Sequence, residues 1–298
     1  MHQYLRAIGF SNVKSVKDVN KLVIKSINSA DKRAYTSIDN YDIDSLYSEY
    51  FAKFGKRIGL CVRGEFSDEN VFSYEYYFPY LEGNTVTTYE DISVEQHIEK
   101  MSFAGIVDEL NIGVSVIFYL QNIITYLKLV MEDRLPIKGT SLTLTALSKG
   151  GKILLPIDKT ELQAAKIHKF NARKSRMIAE AKRGNENAIE DLTIQDMDTY
   201  SVIRKKMKDE DVYSIVDTSF MPYGVECDLY AIIGEIVAFE EDINTLTHEK
   251  VYVLTLNVND IVFDICINSV DLVGAPEVGR RFKGVIWMQG HINFPEDI

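Results

Sequence analysis

The sequence predicts an α+β protein in three consecutive parts, and three observations lead to this prediction. Over residues 1–157, strand patterns are interspersed with helical ones, which indicates a mixed antiparallel sheet with helices. Residues 158–217 are rich in Ala, Lys, Arg and Glu, which indicates a helical segment. Residues 218–298 read as short strands separated by turn residues, which indicates a small β-barrel, with the oligonucleotide/oligosaccharide-binding (OB) type as one candidate.

The first part opens with a helix and a hairpin. Ser15 and Asp18 have the spacing of a capping box, and apolar residues recur at helical spacing behind them. Residues 57–66 and 71–80 alternate as strands on either side of the turn-forming residues 67–70, which predicts a hairpin. A second strand pair is predicted near the end of this part, at 141–147 and 152–157, with the Ser-Lys-Gly-Gly sequence between them as its turn.

The apolar stretch 112–131 is long enough to cross a membrane, but its pattern is that of a folded core. Gln121 and Asn122 at its centre are costly in hydrocarbon. Its first half is β-branched and aromatic, whereas apolar residues recur at helical spacing in its second half. We therefore expect a core strand that runs into an amphipathic helix, and no membrane association.

The net charge of −11 is distributed unevenly. Residues 1–157 carry 17 basic and 19 acidic side chains, residues 158–217 carry 12 of each, and residues 218–298 carry 4 basic and 13 acidic ones. The predicted barrel therefore holds most of the negative charge, which repels phosphate and disfavours nucleic-acid binding. A basic run within residues 166–183 is a candidate for docking an acidic partner or nucleic acid. We favour a solvated face, or one balanced by the acidic residues that follow it or by the acidic barrel.

Cysteine use and missing motifs bear on the compartment and on the chemistry. Cys61, Cys227 and Cys266 are widely spaced and odd in number, so they predict neither a disulfide framework nor a metal site. The N-terminus lacks the apolar region of a secretory signal, and the cytoplasm is therefore the expected compartment. The five histidines are not paired at ligand spacing, and motifs for phosphate loops, dinucleotide sites and common hydrolases are absent. We expect no cofactor and no metal.

The second strand of the first hairpin carries the first candidate site. Its aromatic residues alternate, so that Tyr74, Tyr76 and Phe78 share one face with Phe72 and Tyr80. Tyr74, Tyr76 and Phe78 are candidates for stacking on a sugar or a base. We favour the alternative that this face is buried, because alternate large residues are what a half-buried strand requires.

A strand near the C-terminus carries the second candidate site. Asp264 and Asn268 share one face with Cys266, opposite an apolar face that we assign to the core. This polar face is able to hold a ligand, with Asp264 accepting hydrogen bonds. An ordinary exterior face is the simpler interpretation.

Arg280, Arg281 and Lys283 form the third candidate site, as three of the four basic residues in 218–298. Arginine matches the geometry of carboxylate and phosphate, so these residues are the best candidates for an anion contact. Internal ion pairs with acidic neighbours such as Glu277 are the simpler alternative.

Several segments resemble an uncharacterised bacterial family of proteins of about this length. The segments are residues 4–10, 186–193, 198–201, 220–228, 263–268 and 278–290. The family carries a domain-of-unknown-function label. The resemblance implies a bacterial, cytoplasmic protein, and it implies no activity and no site residues.

Three functions remain open from the sequence. The leading hypothesis is a non-catalytic cytoplasmic binding or scaffold protein, with another protein or a small molecule as its partner, because catalytic motifs are absent and an acidic barrel adjoins a basic segment. The alternative is an enzyme with dispersed catalytic residues that acts on a sugar or nucleotide at the Tyr74 and Tyr76 face. Nucleic-acid binding through the barrel is a weaker alternative, and the oligomeric state is not predicted.

Overall fold

A computed structural model describes most of the chain. The described residues are 3–40, 43–67, 69, 71–96, 103–109, 114–157, 216–225 and 228–295, with single positions between 173 and 191. The helices are α1 (Val16–Asn28) and α2 (Ile123–Met131), with short 3-10 turns at Leu5–Ile8 and Ser269–Asp271. The strands are β1 (Lys32–Asn40), β2 (Ile43–Lys53), β3 (Ile58–Phe66), β4 (Phe72–Leu81), β5 (Ile92–Gln96), β6 (Phe103–Glu109), β7 (Val114–Leu120), β8 (Ser141–Leu154), β9 (Ser219–Pro222), β10 (Leu229–Ile243), β11 (Lys250–Val258), β12 (Ile261–Asn268), β13 (Leu272–Val273) and β14 (Arg281–Asn293).

The predicted α+β class is wrong, because the described residues are mostly β. Strands make up 52% of them, and α1 and α2 are the only α-helices among the described elements. The predicted helical middle segment is not among those elements, and residues 158–217 lie mostly outside the described part of the chain. Sequence pattern failed to predict β1, β2, β5 and β6. Their polar residues interrupt the alternation, and pairing with neighbouring strands decides such segments more than local preference does.

The N-terminal sheet is an antiparallel meander in the order β1-β2-β3-β4. The predicted hairpin of residues 57–66 and 71–80 is confirmed as β3 and β4. The capping box at the start of α1 is also confirmed, since the Ser15 side chain accepts a hydrogen bond from the Asp18 backbone and the Asp18 carboxylate accepts one from the Ser15 backbone. Helix α1 packs against β2 and β3.

The predicted barrel is confirmed, and five strands close it. The order around the barrel is β8-β12-β11-β10-β14 and back to β8, with β12 and β8 parallel and the other neighbours antiparallel. Four of these strands come from the predicted barrel region, and β8 comes from residues before the predicted boundary at 157/158. The predicted division of the chain into domains at 157/158 and 217/218 itself stays a prediction.

The predicted strand pair at 141–147 and 152–157 is wrong, because residues 141–154 form the single strand β8. Strand β14 pairs with β8 along almost its whole length. The predicted turn contained Gly150 and Gly151, and Gly151 has a different role in the strand. A Cβ atom at Gly151 would lie 2.2 Å from the ring of Phe282, so glycine is required there for close packing.

The connectivity of the barrel has a recognisable pattern. The barrel strands are numbered 1 to 5 in the order β10, β11, β12, β14 and β8. Their order around the barrel is then 1-2-3-5-4, and strand 4 pairs with strand 1 to close it. OB barrels have this connectivity, and here the last strand precedes the others in the chain. OB barrels bind ligands on the face of their second and third strands. The equivalent strands here are β11 and β12.

A second antiparallel group, β5-β6-β7, joins the barrel where β7 pairs with β14. The predicted strand that runs into a helix is confirmed as β7 followed by α2. In the described parts of the chain, no helix combines the length and the apolar composition needed to cross a bilayer.

Two hydrophobic cores result from this arrangement. The first fills the barrel and continues under β6, β7 and α2. The second lies between the N-terminal sheet and the outside of the barrel, and residues of the first 3-10 turn and of α1 contribute to it. The outer face of β11 and β12 is therefore an internal surface.

Candidate functional site

The outer face of β12 is the best defined cluster of polar groups in the described residues. Asp264 is 3% exposed and forms an ion pair with the Nη2 atom of Arg57. Its other oxygen accepts a hydrogen bond from the Thr255 hydroxyl at 2.7 Å. Arg57 also donates from Nη1 to Glu240 at 2.9 Å and from Nε to the Glu82 carbonyl at 2.8 Å. Asp264 was predicted to accept hydrogen bonds from a ligand, and in the structure it accepts them from Arg57 and Thr255 of the protein itself.

The other end of the same face is filled by the N-terminal residues. The Asn268 amide donates to the Arg6 carbonyl at 3.1 Å and to the Glu249 carboxylate at 2.7 Å. The Cys266 sulfur lies 3.3 Å from the Ala7 carbonyl oxygen. Arg6 pairs in turn with the Asp271 carboxylate through two bonds of 2.6 and 2.8 Å. Residues 6 and 7 thus lie where an OB barrel would hold its ligand.

The aromatic candidates on β4 differ in their surroundings. Phe78 is fully buried, and the Arg63 guanidinium lies 4.6 Å from its ring centre. Tyr76 is half-buried, and burial raises the pKa of its hydroxyl to about 12. Tyr74 is 38% exposed, and its hydroxyl donates to the Asn20 side chain at 2.7 Å. Only Tyr74 of the three lies in an exposed position, so the structure does not bring them together as an open stacking surface.

Tyr76 and Phe78 belong to an aromatic chain between the sheet and the barrel. Tyr119 packs edge-on against Phe78, with ring centres 4.8 Å apart, and it contacts Trp287 at 5.2 Å. Trp287 stacks on Tyr4 at 5.3 Å. Trp287 is the single tryptophan of the protein, so its fluorescence will report on this junction.

A buried ion pair that was not predicted from the sequence lies beside this aromatic chain. Arg63 and Glu49 are 0% and 1% exposed, and they are direct cross-strand neighbours on β3 and β2. Arg63 donates to Glu49 at 3.2 Å, to the Tyr119 hydroxyl at 2.9 Å and to the Gln121 carbonyl at 2.6 Å. Burial raises the pKa of Glu49 to about 7, although the Arg63 guanidinium opposes this shift. The signal in the sequence is an arginine that directly follows the apolar residues 58–62 of a predicted strand.

His291 on β14 was interpreted from the sequence as one of five unpaired histidines. It is half-buried on the outside of the barrel, opposite Thr143 of β8. Burial lowers its pKa to about 4, and the nearby Lys32 acts in the same direction. The imidazole is therefore neutral over the physiological range.

The predicted anion site separates into three environments. Arg281 is 4% exposed and donates to the Leu155 carbonyl at 2.9 and 3.0 Å and to the Val216 carbonyl at 2.7 Å. Arg280 forms an ion pair of 2.6 Å with Glu277. Lys283 is half-buried on the outer face of β14. Arg281 therefore connects the end of β8 with the segment that begins at Val216.

The apolar tip of the β9–β10 hairpin is a surface feature that no sequence pattern indicated. Val225 is 99% exposed, Met221 is 57% exposed and Tyr223 is 50% exposed. The base of the hairpin is well held, because the Tyr223 amide donates to the Leu229 carbonyl at 2.9 Å and the Trp287 indole donates to Asp228 at 2.7 Å. Within the described residues, no group of three or more His, Cys, Asp or Glu side chains is placed to hold a metal ion.

Comparison with known proteins places the chain in a family. A family model described as a domain of unknown function from an E. rectale gene, DUF3881, matches residues 5–290. No curated protein and no solved structure matches the chain. The match extends over nearly the whole chain and confirms the resemblance to an uncharacterised bacterial family. The chain therefore belongs to the DUF3881 family.

Proposed function

We propose that this protein is a non-catalytic, cytoplasmic binding protein whose partner is another protein. The observation that carries the proposal is the exposed apolar tip of the β9–β10 hairpin, formed by Met221, Tyr223 and Val225. Neighbouring exposed apolar side chains on a protein surface are typical of interaction sites. The buried, reduced thiols of Cys61 and Cys266 suit a reducing compartment.

The tip is suited to a protein partner because its framework is ordered before binding. Strand β9 pairs with β10 over four residues, and the Met288 amide donates to the Asp228 carbonyl at 2.9 Å. A partner therefore does not have to order the strands β9 and β10 in order to bind beside them, which lowers the entropic cost of association. Tyrosine and methionine are also enriched at protein interfaces.

The two alternative functions have less support from the geometry. Burial raises the pKa of the Cys61 and Cys266 thiols, which disfavours both as nucleophiles. The side chains of Tyr76 and Phe78 pack into the second core, so an enzyme that acts at the β4 face would have to use Tyr74 without them. The outer face of β11 and β12, which OB barrels use for nucleic acid, is covered by residues 5–8.

The proposal is tested with a double variant, Met221→Ser with Tyr223→Ser. Tagged protein in cells of the source organism is cross-linked in vivo, and the attached proteins are identified by mass spectrometry. We expect this variant to lose one or more proteins that the wild type captures. The matched control is Val16→Ser with Ile24→Ser on α1, whose side chains are 75% and 57% exposed, and it should retain them.

Equal capture by both variants would argue against the hairpin tip as the binding surface. Native mass spectrometry of the purified protein provides an independent check. A small extra mass that disappears on denaturation would instead support a small-molecule ligand.

A further inference from the structure

Residues 4–11, the N-terminal segment, lie against the barrel as a peptide lies in a groove. The groove is formed by the end of β12 and by residues 244–249, which connect β10 to β11. Side chains of the groove donate to three backbone carbonyls of the segment: Asn268 to Arg6 at 3.1 Å, Asn244 to Ile8 at 2.8 Å and Thr247 to Gly9 at 2.6 Å. Hydrogen bonds to the main chain are a general means of holding a peptide.

The two amide side chains of the groove are oriented by the barrel and not by the segment. The Asn244 side-chain oxygen accepts from the backbone amides of Leu246 and Thr247 at 2.9 and 3.1 Å. The Asn268 side-chain oxygen accepts from the Val270 backbone amide at 3.2 Å. An amide whose oxygen is fixed also has a fixed NH2 group, so these donors face the segment without its help. The groove is therefore preorganised, which lowers the entropic cost of binding a segment there.

Side chains of the segment add selectivity to these backbone contacts. Leu5 and Ile8 are 2% and 0% exposed and belong to the second core. Arg6 pairs with the Asp271 carboxylate through two bonds of 2.6 and 2.8 Å. A second copy of the chain carries the same side chains at the same spacing. Its segment therefore fits every contact that the groove offers.

The hinge, residues 12–14, connects the N-terminal segment to the capping residue of α1. The groove holds the chain up to Ser11, whose hydroxyl donates to Glu249 at 2.6 Å. Two hinge side chains are exposed, and Val13 packs against the second core. A short tether gives a segment an effective concentration in the millimolar range, so a copy's own segment occupies its groove in dilute solution. A hinge that is too short to close would leave the groove to another copy.

We propose that this groove is a peptide-binding site that also accepts residues 4–11 of a second copy of the chain. Two copies exchange their segments reciprocally, and each groove is filled by the segment of the other copy. The exchanged dimer keeps every contact of the monomer except those of the hinge, which is what makes such an exchange inexpensive. The groove is separate from the hairpin tip, so this inference goes beyond the proposed function.

The first test removes the hinge from the otherwise full-length chain. Deletion of residues 12–14 joins Ser11 directly to Ser15, with Cα atoms about 3.8 Å apart, so the segment is unable to reach its own groove. We expect this variant to be a folded dimer at micromolar concentration, measured by size-exclusion chromatography with light scattering and by circular dichroism. The matched control keeps the hinge length and carries Asn12→Gly, Val13→Gly and Lys14→Gly. It loses the same side chains and should stay monomeric.

The second test shows whether the dimer uses the groove. One copy of the deletion variant carries Arg6→Asp and the other carries Asp271→Arg. Like charges meet in the grooves of either homodimer, whereas opposite charges meet in both grooves of the mixed dimer. We expect native mass spectrometry to find the mixed dimer about tenfold above its statistical proportion, because two modest ion pairs replace two repulsions.

Four results would overturn the proposal. A folded, monomeric deletion variant would show that the groove does not accept a second copy. An unfolded deletion variant beside a folded glycine control would do the same, because exchange supplies the contacts that folding needs. Equal dimerisation of the glycine control would show that the hinge is not the cause. A statistical mixture of the two charge variants would place the contact between copies outside the groove.

Discussion

Two arginines connect the N-terminal sheet to the rest of the molecule, and each does so from a buried position. Arg57 reaches the barrel at Asp264 and Glu240, whereas Arg63 reaches the end of β7 at Tyr119 and Gln121. A buried guanidinium is tolerated only where acceptors satisfy its donors. These contacts therefore specify one position of the sheet relative to the barrel.

Arg57→Met should lower the free energy of unfolding by about 3–5 kcal/mol, because it leaves the buried Asp264 carboxylate without its cation. Arg57→Lys should recover little of this loss, since an ammonium group cannot reach Glu82, Glu240 and Asp264 together. Urea unfolding followed by circular dichroism measures both changes. The control is Arg134→Ala, whose pair with Glu132 is exposed and should contribute less than about 1 kcal/mol. Equal losses at Arg57 and Arg134 would contradict this role.

Glu49 and His291 should act on stability with opposite signs over nearly the same pH range. The folded-state pKa of Glu49 is raised from 4.5 to about 7, so the folded protein binds more protons than the unfolded chain and stability falls as pH rises through this window. The pKa of His291 is lowered from 6.5 to about 4, so stability rises with pH over that window. Each contribution is at most about 3.5 kcal/mol, at about 1.4 kcal/mol per pKa unit, and solvent contact at His291 reduces its share.

Single variants separate the two contributions. Glu49→Gln should leave a stability that increases from pH 4 to 6.5, and His291→Asn should leave one that decreases from pH 4.5 to 7. Urea midpoints measured across this pH range test both slopes. If both variants keep the slope of the wild type, neither group titrates as described.

At the scale of elements, β8 determines the closure of the barrel. It pairs in parallel with β12 and antiparallel with β14, so it joins the two edges that the C-terminal strands leave open. Sequence pattern predicted both halves of β8 as strands but divided them at two glycines. The division was wrong because Gly-Gly is typical of a turn and equally of a strand position where a ring packs against the backbone.

Gly151→Ala should destabilise the protein by about 1–3 kcal/mol, because the added methyl group overlaps the Phe282 ring in a filled core. The neighbouring Gly150→Ala is the matched control. Its nearest non-neighbouring atom is 4.0 Å from the added Cβ, so it should change stability by less than about 0.5 kcal/mol. Thermal unfolding of the two variants compares them directly. Equal effects at the two positions would show that the Phe282 contact is not the cause.

The elements differ in how well the sequence predicted them. The hairpin β3–β4 and the strands β10, β11, β12 and β14 have clear periodicity and strong turn signals, and they were predicted with nearly correct bounds, while helix α1 was predicted from its capping box. Strands β1, β2, β5 and β6 lack that clarity. Their partners in the sheets determine them, and a local pattern carries no information about such partners.

At the scale of the whole molecule, the second core is shared between the N-terminal sheet and the barrel. It includes Leu60 and Phe78 from the sheet, together with Val253 and Cys266 from the barrel. Burial of both surfaces in one core couples their stabilities, because separation of the two would expose apolar area on each.

Urea unfolding should therefore show one transition for the N-terminal sheet and the barrel. Trp287 fluorescence, which reports on the junction with Tyr4 and Tyr119, should change at the same midpoint as the circular dichroism of the strands. Two separated transitions would instead support independent domains divided near residue 157.

Sequence pattern and motif resemblance were enough to predict the small β-barrel, the β3–β4 hairpin, helix α1, the strand that runs into α2 and the bacterial family. These features depend on periodicity, turn residues and motif resemblance, all of which are local in the chain. Contacts between distant parts of the chain, which sequence pattern does not show, pair Asp264 with Arg57 and Asn268 with Arg6. The folded arrangement likewise buries Phe78 and leaves Met221 exposed. The physical reason is that a polar or aromatic side chain has the same sequence signature whether solvent, a ligand or a distant part of the chain covers it.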